Sequence, residues 1–233
     1  MDNEVLVVGS VAYDSIETLH GSVEREPGGA ATYFSLAASH FAPVNLVGVV
    51  GGDFDEDVLA TMKQRGIDLD GLEIVEDAET FHWDGYYEED LEAQTRDTQL
   101  NVFEEFDPEL PSEYRDSSHV FLANIDPEIQ LSVLDQVNDP DVVACDTMNF
   151  WIENKPDALS EVLERVDFFF LNDAEATMLT GENNLISAGD KLREMGPSAA
   201  VIKKGEHGVF MNGRGWEFVL PGFPVPLAKD PTG

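Results

Sequence analysis

The chain has 233 residues, 42% hydrophobic and 9% aromatic, enough for a sizeable core, which excludes a disordered chain or a disulfide-stapled miniprotein. Thirteen Lys and Arg against 47 Asp and Glu leave a net charge of −34, which repels nucleic-acid phosphates and anionic membranes and argues against both as partners. The single cysteine, Cys145, excludes an internal disulfide and a cysteine zinc site and fits a reducing cytosol.

No apolar run approaches the roughly 20 residues of a membrane helix, and the acidic start Met1-Asp2-Asn3-Glu4 argues against a secretory signal. A cytoplasmic protein is expected. Acidic residues are densest between Glu73 and Asp116, where Arg96 and Arg115 are the only basic residues. A solvated acidic surface accounts for this, with a docking face for a cationic partner as the rival reading. A high-salt, halophile-type cytosol, which screens self-repulsion, would explain the excess.

Glu4 to Val8 reads as a buried strand closed by Gly9. Ala30 to Phe41 reads as a helix with Phe34, Ala37, Ala38 and Phe41 near one face. Val44 to Val50 is a second buried strand, ended by Gly51-Gly52-Asp53. Asp55 can cap a helix running to Arg65, and Gly66 ends it. Further strands are expected at 119–123, 142–145, 167–171 and 199–203. Further helices are expected at 127–137, 156–165, 173–179 and 185–195. This alternation argues for an α/β fold with a mostly parallel sheet covered on both faces. Thr80 to Phe106 breaks the rhythm: aromatics and threonines alternate with acids, which suggests a small antiparallel sheet projecting from the core. The expected division is a core of residues 1–79 and 107–233 with a lid at 80–106.

In open parallel sheets, ligands bind beyond the carboxyl ends of the strands. Asp14 lies just past the first strand, where a carboxylate can accept two hydroxyl hydrogen bonds from a polyol or serve as a solvated turn residue. The same turn lacks the G-x-G-x-x-G of a dinucleotide site. Gly28-Gly29 before the Ala30 helix suits either close backbone approach to a ligand or an ordinary turn. Asn172-Asp173-Ala174-Glu175 reads as a capping box, or as a carboxylate holding hydrated Mg2+. Lys203, Gly205 and Gly208 form a K-x-G-x-x-G turn that can set a lysine beside phosphates or simply close a hairpin. The histidines show no H-x-x-x-H spacing, so no zinc site is expected. Cys145 at a strand end reads as buried rather than reactive, and a G-x-S-x-G hydrolase elbow is missing.

Taken in order, these pieces resemble the PfkB family of carbohydrate kinases, of ribokinase-like fold. The resemblance rests on Gly9-Ser10 with Asp14, Gly28-Gly29, Gly48 with Gly51-Gly52-Asp53, Asn172 with Glu175, Lys203 with Gly205 and Gly208, Pro221-Gly222, and Asp230-Pro231-Thr232-Gly233. Within the family it looks most like a group of sugar kinases through Trp83 to Tyr87, Thr98 to Phe103 and Asp146 to Trp151. It implies a three-layer α/β/α core with a β-sheet lid, through which a homodimer would form. It implies ATP and Mg2+ as cofactors, with K+ as a candidate monovalent ion at Asp230 and Thr232. Asp14, Gly28, Gly29, Tyr33, Asn124 and Asp126 would serve the sugar, with Tyr33 standing where many members have Asn. Asn172, Glu175, Lys203, Gly205 and Gly208 would serve the nucleotide, Glu175 reaching Mg2+ through water. Gly233 would be the first glycine of the anion hole, and the catalytic base is expected three residues beyond it. The C-terminal part of the fold is therefore expected to be missing and this chain alone to be inactive. A nucleoside substrate, with Tyr33 or Trp151 against the base, is the alternative within the family. A sugar- or nucleotide-binding protein without catalysis is the alternative outside it.

Overall fold

The computed structural model describes residues 4–19, 21–87 and 93–224. They divide into two units, one up to Arg115 and one from Asp116 onward.

In the first unit β1 (Val5–Val8), β2 (Ala12–Thr18) and β3 (Gly21–Gly28) precede α1 (Ala30–Ala38), β4 (Val44–Gly51), α2 (Glu56–Gln64) and β5 (Ile67–Val75). β6 (His82–Tyr87) and β7 (Ala93–Gln99) follow. β1, β4 and β5 pair in parallel in that order. All eight residues of β4 are buried, as expected of a strand covered on both faces. Asp55 caps α2 by accepting from the Asp57 amide at 2.8 Å, and Gly66 follows its end at φ 81°.

Three expectations need correction here. α1 ends at Ala38, and its buried side chains are Ala31, Thr32 and Ser35, whereas Phe41 is 91% exposed. Small residues, not aromatics, therefore face the sheet. Asp14 lies within β2, not in a turn. The small sheet has the order β3-β2-β6-β7, so residues 12–18 and 21–28 belong to it together with 82–87 and 93–99 of the expected lid segment. Its β2–β6 pairing is parallel, while β2–β3 and β6–β7 are antiparallel, so the sheet is mixed.

The second unit runs β8 (His119–Leu122), α3 (Pro127–Leu134), β9 (Val142–Asp146), α4 (Asn149–Asn154), α5 (Pro156–Leu163), β10 (Phe168–Asn172), α6 (Asp173–Thr180) and α7 (Leu185–Glu194). β11 (Ala199–Lys203), β12 (Val209–Gly213) and β13 (Trp216–Leu220) end it. β8 to β11 are parallel neighbours, and β12 and β13 extend them as an antiparallel hairpin. Phe169 and Leu171 are fully buried on β10 and Ile202 on β11; burial of such a side chain contributes about 1.5–3 kcal/mol. Cys145 is buried and its thiol pKa is pushed up, first by that burial and then by the Asp146 carboxylate. Asp146, Asn172 and Lys203 close β9, β10 and β11, so the polar ends of three adjacent strands lie on one edge. Among the described residues no helix is long and apolar enough to cross a membrane.

Candidate active site

In the first unit Asp14 is 8% exposed and stands opposite Glu26 on β3 and Trp83 on β6. A Cβ at Gly28 would lie 2.2 Å from Asp14 Oδ2, so only glycine lets the carboxylate occupy that place. Gly29 has φ 92°, and a Cβ there would lie 2.4 Å from the Ser10 carbonyl oxygen. That carbonyl accepts from the Ala31 amide at 3.1 Å and the Ser10 hydroxyl accepts from the Ala30 amide at 3.1 Å. Ser10 thus takes two of the amides that a helix N-terminus leaves unpaired. Both glycines have an internal reason to be glycine. Tyr33 is half-buried and its hydroxyl donates to the Pro27 carbonyl at 3.3 Å.

Trp83 is the residue that sequence reasoning did not assign. Paired residues of adjacent strands share a face, so Asp14 and Trp83 stand side by side, about 4.8 Å apart at the backbone. The indole lies across Gly85, where a Cβ would meet it at 2.2 Å, and its Nε1 donates to Thr95 Oγ1 at 3.1 Å. Half-buried, it keeps part of its surface open. Its signal in the sequence was the Trp83-Asp84-Gly85 order, a large ring beside a residue with no side chain.

In the second unit Asn172 and Glu175 form the capping box of α6. The Glu175 amide donates to Asn172 Oδ1, and the Asn172 amide to Glu175 Oε2, both at 2.7 Å. Lys203 donates to Asp146 Oδ1 at 3.1 Å. Burial pushes the Glu175 carboxyl up to about 7. The Asn172 amide and Lys203 oppose that shift, while Asp146 and Asp173 add to it. Burial also raises Asp146, against the pull of Lys203. Asp146, Lys203 and Glu175 therefore form one coupled group. Asp146 was not expected in it, although a carboxylate closing a parallel strand was the available signal.

Gly205 (φ 52°) has open space where a Cβ would stand. Gly208 (φ 90°) is hemmed in, with the Leu220 carbonyl oxygen 2.0 Å from the Cβ position, so it is held by the β12–β13 hairpin. Asn124 Oδ1 accepts from Trp151 Nε1 at 3.0 Å. Asp126 caps α3 through the Glu128 amide at 3.0 Å and binds Lys155 Nζ at 2.6 Å, which gives its carboxylate two structural tasks. Asp230, Thr232 and Gly233 lie outside the described residues.

A curated relative, the cytidine kinase of Thermococcus kodakarensis, is 30% identical over 237 residues, covering 99% of this chain and 84% of its own length. A nucleoside kinase of Burkholderia thailandensis, solved in complex with inosine, superposes with a TM-score of 0.80 at 17% identity, over 98% of this chain and 79% of that one. A ribokinase of Cryptococcus neoformans, in complex with ADP, gives 0.76 at 18% identity, over 98% and 82%. These likenesses show a ribokinase-like α/β fold. Residues 2–233 match the pfkB family carbohydrate kinase profile, so the chain belongs to that family.

Proposed function

We propose that the protein is an ATP-dependent kinase whose acceptor is a nucleoside. The observation that carries this reading is the in-register pairing of Asp14 with Trp83 on one face of the small sheet. A carboxylate accepts from vicinal sugar hydroxyls, and an indole offers a face to a base, a contact worth about 1–3 kcal/mol. The cytidine kinase relative supports the same reading. The family description and the Asp14–Gly28 contact would suit a free sugar equally well, so Trp83 is what separates the two.

The second unit carries the nucleotide side of the proposal. Lys203 is 47% exposed at its side chain, so it can reach a phosphate while one bond to Asp146 orients it. Among the described residues no group of three or more His, Cys, Asp or Glu side chains makes a metal cage. The donor chemistry still fits Mg2+, which takes one or two carboxylates and relies on phosphates and water for the rest. Glu175 and Asp146 would be those carboxylates; burial raises the pKa of both, and a divalent ion would offset that cost by giving the ionised forms a positive partner. When bound, Mg2+ would neutralise charge on the phosphates. In the first unit Asp14 would orient the acceptor hydroxyls, and in the second Lys203 would steady the phosphate chain. Positioning and electrostatics then supply most of the rate.

Calorimetric titration with cytidine, inosine and ribose tests the acceptor class. Nucleosides should bind at least tenfold more tightly than ribose, and Trp83→Ala should erase most of that difference. Equal affinity for ribose in the unaltered protein would overturn the nucleoside assignment.

A further inference from the structure

Tyr13 and Asp14 are consecutive on β2, so their side chains leave opposite faces of the small sheet. The Tyr13 face is fastened down. Its hydroxyl donates to the Asp53 carbonyl at 3.2 Å and accepts from the Asp55 amide at 2.8 Å. Its ring meets Phe54 at 5.1 Å, and the Arg25 guanidinium lies 4.5 Å from its centroid.

The carboxylate of Asp53 is the centre of this arrangement. Its Oδ2 accepts from Arg25 Nη2 at 2.6 Å. Its Oδ1 accepts from the Thr80 amide at 2.8 Å and the Thr80 hydroxyl at 2.7 Å. Thr80 is 1% exposed; its Oγ1 in turn accepts from the Gly51 amide at 2.9 Å and its carbonyl from Asn101 Nδ2 at 2.9 Å. Gly51 and Gly52 permit the close turn: a Cβ on either would lie 2.3 Å from a carbonyl oxygen, of Ala78 and Glu76 respectively.

The two carboxylate oxygens act on different strands. Arg25 belongs to β3, and Thr80 stands two residues before β6. These are the two strands that flank β2. The β2–β3 register shifts between Asp14 and Ile16, so Glu24 and Arg25 oppose Ser15 alone. Arg25 there takes φ 51°, in the left-handed region, and its amide donates to Ser15 Oγ at 3.1 Å. A bulge of this kind re-aims a side chain, and here it turns the guanidinium toward Asp53.

We infer that Asp53 is a positioning residue for acceptor binding: by holding β3 through one oxygen and the start of β6 through the other, it fixes Gly28 and Trp83 on either side of Asp14. Asp53 itself lies with Tyr13, away from the Asp14 face, and acts through the strands. The inference deepens the nucleoside reading and rests on it.

The test uses Asp53→Asn and Arg25→Ala in the whole chain. Asparagine keeps an acceptor for Thr80 but turns an amide toward Arg25, so the β3 arm is lost first. Asp53→Asn should weaken cytidine binding at least tenfold and leave Mg·ADP binding within twofold. Arg25→Ala should reproduce most of the cytidine effect, and the double variant should add little to Asp53→Asn, because both break one contact. Ligand-free hydrogen exchange should speed up tenfold or more at 12–18 and 21–28 in Asp53→Asn, with β1 and β4 unchanged. Unchanged exchange at 21–28, or an equal gain throughout the unit, would overturn the inference. A parent protein that binds no nucleoside would sink the acceptor assignment instead, while the exchange result still judges Asp53.

Discussion

Replacing Glu175 with glutamine isolates the charge that the α6 cap has to carry. The carboxyl keeps its proton up to about pH 7 in the folded chain, against an ordinary value of 4.5, because burial opposes ionisation. Between those values the native state binds more protons than the unfolded chain. Stability contributed by this group is therefore highest below pH 4.5 and falls as pH rises through about 7. At 1.36 kcal/mol per pKa unit the loss is roughly 3 kcal/mol. Glutamine copies the protonated form and keeps an oxygen for the Asn172 amide, so the cap survives. Glu175→Gln should match the parent near pH 4.5 and exceed it by about 3 kcal/mol at pH 8. That corresponds to about 6–12 °C in Tm for a chain of this size. Urea unfolding at both pH values measures it. The same stability difference at both pH values, or a variant weaker at pH 8, would refute the reasoning. Mg·ADP should narrow the gap at pH 8 by stabilising the parent more than the variant, since it offers a positive partner to the ionised carboxylate.

Gly28→Ala should displace the Asp14 carboxylate, because its Cβ would lie 2.2 Å from Oδ2. The expected cost is about 1–3 kcal/mol of stability and at least a tenfold loss of cytidine affinity, read by thermal unfolding and calorimetry. Gly205→Ala, in open space but at φ 52°, should cost only about 1 kcal/mol, since the strain is in the backbone alone. The net charge of −34 predicts that Tm rises with KCl as self-repulsion is screened; a Tm independent of KCl up to molar concentration would count against the high-salt reading.

The second unit was more legible than the first, for a physical reason. Val142 to Cys145 and Phe168 to Leu171 are apolar runs, and Asn172 with Glu175 is a local capping signal, so each could be read from neighbours in sequence. β2 and β3 carry Asp14, Glu17, Glu24 and Glu26 among few apolar residues, and a bulge at Arg25 breaks their alternation, so no period marked them. β5, with Asp68, Asp70 and Glu73 along it, hid for the same reason. Gly51-Gly52-Asp53 was visible as a motif, but its meaning depends on Thr80 and Arg25, 27 and 28 residues away. Trp83 likewise acquires a role only through its register with Asp14, which pairing between β2 and β6 decides.

The most direct measurement is a crystal structure of the protein with cytidine. Two ribose hydroxyls should lie within hydrogen-bond distance of the Asp14 carboxylate, with the base against the Trp83 ring. A nucleoside bound elsewhere, with Asp14 and Trp83 both untouched, would contradict that arrangement.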